Sequence, residues 1–141
     1  MEVDSGAVKW RKEVPGGVVS CAALADGLAI VTATDGKVRG FDLATGERRW
    51  IYPGKSPFFA APAIAKGTVY AGDLKGVVHA VGLTNGQLRW TLDLGKDPAV
   101  AAPGMFYGGP VVHGGRVFAA TCNLEGPNAG KPTAVVCVGE K

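Results

Sequence analysis

Residues 40–50 read GFDLATGERRW, and the parts of this stretch recur at a fixed interval along the chain. A glycine stands four residues before each tryptophan of the chain, and these pairs repeat every 40 residues. The pairs are Gly6 with Trp10, Gly46 with Trp50, and Gly86 with Trp90. A period of this size, in segments that read as strands joined by tight turns, is typical of β-propeller blades, which are small antiparallel sheets that cannot bury their faces alone. The sequence therefore predicts an all-β fold.

The turn inside this stretch has a physical explanation. An Asp or Asn side chain accepts hydrogen bonds from the backbone a few residues on, Thr does so more weakly, and Gly adopts a positive φ at little steric cost. Asp42, Thr45 and Gly46 supply this chemistry in one repeat, and Asn85 and Gly86 supply it in the next. We expect each tryptophan ring to fill the space between neighbouring sheets while its N–H reaches a carbonyl. The rings are thus predicted to be structural rather than cofactor-stacking.

Residues 40–50 also resemble the tryptophan-docking motif of the quinoprotein (pyrroloquinoline quinone, PQQ) propeller repeat, A-x-D-x-x-T-G-x-x-x-W. The matching residues are Asp42, Thr45, Gly46 and Trp50 in the first full repeat, Ala80, Gly86 and Trp90 in the second, and Gly6 and Trp10 near the start of the chain. Gly40, Gly82 and Asn85 depart from the motif. The resemblance implies a propeller with blades of four antiparallel strands. It does not decide activity, because the same repeat occurs in dehydrogenases and in non-catalytic binding proteins.

The repeat spacing divides the chain into units. Residues 5–14 are predicted to be the outer strand of a split blade, residues 15–54 and 55–95 to be blades, and residues 96–141 to be a blade with two loop insertions and no outer strand. We expect at least ten strands, with all three tryptophans largely buried near blade junctions. This is about three blades' worth of strands, whereas propellers usually have four to eight blades. The chain is therefore predicted to be part of a larger ring, completed by adjoining blades of a longer protein or by a second copy.

Two connections exceed the length that the repeat requires. With Pro62 aligned to Pro110, the connection that contains residues 96–109 is eight residues longer than its counterpart, and residues 123–132 are a second insertion. Both kinds of connection emerge on the same rim of a four-stranded blade, and long loops on a rigid scaffold commonly carry function. We therefore predict a binding rim there, with decorative or stabilising loops as the alternative. The candidate rim residues are Asp97, Phe106, Tyr107, Asn123, Glu125, Asn128 and Lys131.

Charge and hydropathy exclude two classes of partner. The formal net charge is only +3, and Lys9, Arg49 and Arg89 each precede a repeat tryptophan, so they should point to the opposite face of the strand and into water. Such a solvated edge is not a nucleic-acid patch. No apolar run reaches the length of a membrane span, and residues 1–4 lack signal-peptide features, so no direct membrane insertion is expected.

The sequence holds little that could be catalytic. A quinone-dependent dehydrogenase of this family needs a catalytic carboxylate, a calcium site and often a disulfide between adjacent cysteines. Asp97, Asn123, Glu125 and Asn128 carry the oxygen ligands that calcium prefers, but their spacing is not that of a metal site. The three cysteines are isolated in sequence and are expected to be buried thiols. We predict no catalytic residue, no metal site, and no bound PQQ or calcium.

Two hypotheses about function follow. In the first, the chain is a non-catalytic propeller segment that acts as a scaffold or binding module for a protein or other ligand through its loop-rich rim. The resemblance then implies an extracytoplasmic location, in the periplasm or cell envelope. In the alternative, the chain is a fragment of a PQQ-dependent quinoprotein dehydrogenase, an oxidoreductase that would need PQQ and calcium. The absence of paired cysteines and of a carboxylate cluster favours the first hypothesis, in which the chain is not an enzyme.

Overall fold

The computed structural model describes residues 4–139, which form eleven strands in three antiparallel sheets and contain no helix. The first sheet consists of β1 (Ala23–Ala25), β2 (Leu28–Thr32), β3 (Lys37–Asp42) and β4 (Arg48–Pro53). The second consists of β5 (Ala63–Ala65), β6 (Thr68–Gly72), β7 (Val77–Gly82) and β8 (Leu88–Asp93). The third consists of β9 (Val111–His113), β10 (Arg116–Ala120) and β11 (Val135–Val138). In each sheet the strands pair in chain order, so the predicted fold of antiparallel propeller blades is confirmed.

The outer pair of strands has the same register in both four-stranded sheets. Gly40 lies opposite Trp50, and Ala80 lies opposite Trp90, with a bulge immediately after each pair. A side chain added at Gly40 would meet the Trp50 ring at 2.5 Å. Glycine is therefore needed at residue 40, because the Trp50 ring of the outer strand occupies the space that a Cβ would take.

Trp50 joins the first sheet to the second. Its ring is 7% exposed, and its indole N–H donates a hydrogen bond of 2.8 Å to the carbonyl of Leu83 in the turn after β7. The same ring covers Gly86, where an added Cβ would stand 2.5 Å from it and where φ is +66°. Glycine is thus required at residue 86 both by the backbone conformation and by the ring above it.

Trp10 makes the same contact one sheet earlier. Its N–H donates to the carbonyl of Leu43 at 2.9 Å, and its ring lies over Gly46, where an added Cβ would approach it to 2.6 Å. Residues 5–14 nevertheless form no strand, so the predicted outer strand is corrected. A strand needs a ladder partner, and no strand of the described chain lies beside this segment.

The prediction that all three tryptophans are largely buried also needs correction. Only Trp50 is buried, whereas Trp10 is half-buried and Trp90 is 37% exposed. Trp90 lies on β8 and touches the ring of Tyr70, but it covers no turn glycine among residues 4–139. Part of the Trp90 ring therefore stays in water, because no turn glycine of the described residues lies against it.

The turns after β3 and β7 use different side chains at matching positions. Asp42 accepts backbone hydrogen bonds from Ala44 and Thr45, and its other oxygen accepts a hydrogen bond from Arg49 at 2.6 Å. These bonds lower the pKa of Asp42 to about 2, and the bond from Arg49 is the largest cause. In the second turn, an added side chain at Gly82 would meet the Asn85 side-chain oxygen at 2.4 Å. Gly82 and Asn85, both departures from the motif, are therefore linked, because the asparagine occupies the space that the aspartate would need.

Two apolar clusters hold the sheets together. The larger one lies at the first and second sheets and includes Trp50, Phe58 and Val69. The smaller one is centred on Leu94 and Phe106 and draws residues from the second and third sheets. Residues 1–3 and residues 140–141, which end the predicted third blade, lie outside the described range.

Replacing Trp50 with alanine should lower the free energy of unfolding by about 3–5 kcal/mol, because a fully packed ring is lost. Trp90→Ala should cost much less, since Trp90 is already partly in water. The comparison is made by urea unfolding at about 1 µM protein, a concentration low enough to keep association from adding stability. Equal losses in the two variants would contradict this account of the blade junction.

Candidate binding rim

The two long connections of the third sheet meet each other. Residues 94–110 link β8 to β9, and residues 121–134 link β10 to β11. Met105 and Cys122, one from each connection, exchange two backbone hydrogen bonds of 3.1 and 2.8 Å. The two insertions therefore form one packed unit, which we call the binding rim, and their predicted position on a common rim agrees with this contact.

Asn123 fastens the binding rim from inside. It is 4% exposed, and its side-chain amide donates to the carbonyls of Pro103 and Pro132, both at 3.0 Å. One carbonyl belongs to each connection, so this single side chain ties the two together. Its own oxygen accepts no hydrogen bond within residues 4–139. Asn123 is therefore an anchor of the rim rather than a contact residue.

Phe106 is likewise not a contact residue, contrary to the prediction. Its ring is fully buried and lies under Gly72, where an added Cβ would stand 2.5 Å away. The ring belongs to the cluster between the second and third sheets. The sequence alone suggests that an apolar residue in a long loop is available for binding. Here the loop folds back, so that Phe106 is part of the core.

Tyr107, Leu124 and Glu125 form the exposed crest of the binding rim. The Tyr107 hydroxyl donates to the Glu125 carboxylate, and this bond is the main cause that raises the pKa of Tyr107 above its usual value. The Tyr107 ring meets Phe59 edge to face at 5.8 Å between centroids and remains 37% exposed. Leu124 is 88% exposed. The crest thus presents the aromatic ring of Tyr107, which Glu125 and Phe59 hold in place, and the exposed aliphatic side chain of Leu124.

The other predicted rim residues bond within their own loops. Asp97 accepts a hydrogen bond from the Ala99 amide at 2.9 Å, and Lys131 donates to the Asn128 side-chain oxygen at 3.0 Å. Of the four side chains considered for calcium, Asp97, Glu125 and Asn128 thus each hydrogen-bond a different partner, and the Asn123 oxygen has none among the described residues. In the part of the chain that the structure describes, no three His, Cys, Asp or Glu side chains are placed to hold a metal.

The cysteines differ from the prediction of buried thiols. Cys21 and Cys137 are exposed and Cys122 is half-buried, and all three are free. Cys137 lies on β11, which pairs with β10 alone in the described chain and so has one open edge, and Cys21 precedes β1 in a segment that is not a strand. Over residues 4–139, no helix has the length and apolar character that a membrane span requires.

A cavity of about 820 Å³ adjoins the binding rim at residues 95, 96 and 103. A buried chain of hydrogen bonds reaches it, in which Asp73 meets His79 at 3.0 Å and His79 meets the Tyr52 hydroxyl at 2.9 Å. Burial raises the pKa of Tyr52, with the charge of Asp73 as a second cause. Lys55 and Lys75 lie at the cavity wall. No sequence pattern indicated this network, because its members come from β4, β7 and the turn between β6 and β7.

Asn123→Ala should loosen the binding rim by leaving two carbonyls without their shared donor, at a cost of about 1–3 kcal/mol. Hydrogen exchange should speed up at residues 96–109 and 123–132 and stay unchanged in the first sheet. Asn128→Ala is the matched control, because the Asn128 side chain accepts from the exposed Lys131 side chain and does not join the two connections. An Asn123 variant whose exchange matches that of the Asn128 variant would show that the anchor is not needed.

Comparison with known proteins places this geometry in a family. The protein-family model described as outer membrane protein assembly factor BamB matches residues 1–135. BamB of Nitrosomonas eutropha is 30% identical over 92 residues, which cover 62% of this chain and 22% of that protein. BamB of Moranella endobia is 27% identical over 131 residues, which cover 87% of this chain and 34% of that protein. The chain therefore spans about a fifth to a third of the length of these relatives.

Solved structures agree on the fold. The crystal structure of BamB from Moraxella catarrhalis matches 82% of this chain and 34% of its own with a TM-score of 0.69 and 26% identity. A quinohemoprotein alcohol dehydrogenase from Comamonas testosteroni matches 76% of this chain and 17% of its own with a TM-score of 0.64 and 24% identity, a similarity that bears on the fold alone. With its tryptophan-docking turns and three antiparallel sheets, this chain belongs to the PQQ-like β-propeller repeat family of the outer membrane protein assembly factor BamB.

Proposed function

We propose that this chain is a non-catalytic propeller segment that binds a protein partner through the crest of the binding rim during outer-membrane protein assembly. The observation that carries the proposal is the exposure of Leu124, at 88%, on a loop that is fixed from inside by Asn123. An exposed apolar side chain gains from being covered, and a loop that is already ordered loses less conformational freedom on binding.

The surroundings of Leu124 suit a protein interface. Tyr107 offers an amphipathic ring of the kind that is enriched in binding hot spots, and Glu125 and Lys131 supply a polar edge. The hydrogen bond from Tyr107 to Glu125 holds the ring in place before any partner arrives. The crest therefore combines an apolar centre with a charged border, which is the usual anatomy of a specific protein contact.

Family membership supports the setting of this function. The matched relatives are outer membrane protein assembly factors, so we infer that this chain works in the cell envelope, outside the cytoplasm. The partner is then a component of the outer-membrane assembly machinery. No catalytic role, PQQ or calcium is part of the proposal.

The test measures binding of the purified chain to the outer-membrane assembly machinery of Moraxella catarrhalis prepared without its own BamB. A variant with Tyr107→Ala and Leu124→Asp should bind at least roughly tenfold more weakly, as expected for the loss of hot-spot side chains. Far-ultraviolet circular dichroism should show that the variant keeps its sheets, because both side chains are exposed.

Leu43→Asp is the matched control. Leu43 is 43% exposed and lies in the turn after β3, at the opposite end of the strands from the binding rim. Its change should leave binding intact. No binding by the wild-type chain, or an equal loss in both variants, would reject the crest as the contact surface.

A further inference from the structure

The cavity beside the binding rim lies between the first two sheets. Its volume of about 820 Å³ is within the range of sites that hold small organic ligands. One wall is the end of β4, with Tyr52 and Pro53, and the other is formed by β7 and β8, with His79 and Thr91. Both sheets have four paired strands, and the docking of Trp50 joins them. The cavity is therefore a product of the packing of two four-stranded blades.

The buried hydrogen-bond network at this wall has one member with bonding capacity left. Asp73 accepts from the backbone amides of Lys75 and Val77 through one oxygen. Its other oxygen meets His79 Nε2 at 3.0 Å. The second nitrogen of His79, Nδ1, meets the Tyr52 hydroxyl at 2.9 Å, so both nitrogens of the imidazole are used. The Tyr52 hydroxyl both donates and accepts, so it can still bond a group in the cavity.

The partners of His79 determine which of its nitrogens carries a proton. A carboxylate only accepts hydrogen bonds, so Nε2, which faces Asp73, carries one. In the neutral imidazole Nδ1 has none, and the Tyr52 hydroxyl donates to it. Burial raises the pKa of Tyr52, with the charge of Asp73 as a second cause, so the hydroxyl keeps its proton. A second proton on His79, at Nδ1, would reverse this bond and free the hydroxyl to donate into the cavity.

The cavity wall has an excess of positive charge. Its charged residues are three lysines and two aspartates, namely Lys55, Lys75, Lys96, Asp73 and Asp93. Lys96 pairs with Asp93 at 3.2 Å, whereas Lys55 and Lys75 form no ion pair with a side chain of the described residues. With His79 neutral, one positive charge is left over. A single negative charge on a ligand would neutralise it.

Apolar side chains lie beside these charges. Leu88 of β8 is 52% exposed, and Pro53, Val77 and Pro103 also line the cavity. A phosphate monoester carries close to two negative charges at neutral pH, which is more than the wall balances, whereas a carboxylate carries one. The cavity therefore suits a carboxylate that is joined to an apolar body.

We propose that this cavity binds an organic carboxylate, with the anion at the Tyr52 hydroxyl and the apolar body along Leu88. Lys55 and Lys75 supply the counter-charge. Binding takes one proton from solvent onto Nδ1 of His79, which then donates to the Tyr52 oxygen, so that the Tyr52 hydroxyl donates to the carboxylate. Because the ligand and the proton bind together, the site holds its anion more strongly as the pH falls.

The groups around His79 that can titrate or carry charge come from each element of the wall. They are Tyr52 on β4, Lys55 in the connection after it, Asp73 and Lys75 in the turn before β7, Asp93 on β8, and Lys96 after it. Among these residue types and histidine, only histidine ordinarily titrates between about pH 6 and 8. A pH dependence of binding in this range therefore reports on the imidazole.

The test follows binding of hexanoate by NMR titration at about pH 6, 7 and 8, where a carboxylate stays ionised. The dissociation constant should fall as the pH is lowered, and hexanamide, which has the same shape without the charge, should not bind. At constant pH, hexanoate should move the imidazole signals of His79 toward those of the imidazolium form. The chain has two histidines, so His113→Gln identifies which signals belong to His79.

Tyr52→Phe removes the hydroxyl and keeps the ring. It should raise the dissociation constant of hexanoate at least roughly tenfold, as expected for a lost hydrogen bond to a charged group, and it should abolish the shift of the His79 signals. Tyr70→Phe is the matched control, because Tyr70 lies on β6 and lines two other cavities rather than this one. Its change should leave both readouts unaltered.

Lys75→Gln removes a counter-charge and leaves the side chains of the network intact. It should raise the dissociation constant about threefold, since the lysine is at the cavity wall and partly in water. Lys66→Gln is the control for net charge, because Lys66 lies in the turn at the opposite end of β6. Its change should have no effect.

A free organic acid and a glutamate side chain of a peptide both offer this chemistry, and a second probe separates them. The probe is the tripeptide acetyl-Leu-Glu-Leu-amide, with its glutamine counterpart as the neutral control. Binding of either probe with the expected His79 and Tyr52→Phe responses supports the site, and the tighter probe identifies the source. No binding of either at about 10 mM, equal binding of hexanamide, or unchanged affinity in Tyr52→Phe would overturn the proposal.

Discussion

The docking of a tryptophan ring on the turn glycine of the next sheet is the contact on which this structure depends. Trp50 links the first two sheets by burying its ring against Gly86 and by donating to Leu83. The ring needs a small residue on its own sheet, a glycine on the next, and a carbonyl at a fixed distance. These needs explain why the motif repeats every 40 residues while the surrounding side chains vary.

The sequence predicted those parts of the fold that depend on local chemistry. The turn residues Asp42 and Gly46 and the spacing of the tryptophans predict sheets, strand order and docking, because each rule acts within one repeat or between neighbours. Burial was harder to predict. Trp90 shares the repeat phase of Trp50, yet it is exposed, because burial of a docking ring depends on a turn contributed by the following sheet.

The contact between the two long connections was predictable from the sequence, but the burial of their side chains was predictable only in part. Loop length indicated the binding rim, since additions to a repeat must leave the scaffold at its connections. It could not show that Phe106 turns inward while Leu124 remains in water, because both are apolar residues in loops. Nor could it indicate the Tyr52, His79 and Asp73 network, whose members meet only after two sheets have packed.

If ring and glycine act as one unit at each sheet junction, a double-mutant cycle between Trp50→Ala and Gly86→Ala should show coupling between the two residues. Gly86→Ala should strongly lower the free energy of unfolding when the Trp50 ring is present. The loss should be at least about 1 kcal/mol smaller when the ring is absent. Gly67→Ala, at a φ of +69° in open space, should show no such coupling. If Gly86→Ala costs the same free energy of unfolding with and without the Trp50 ring, the docking contact does not join the sheets.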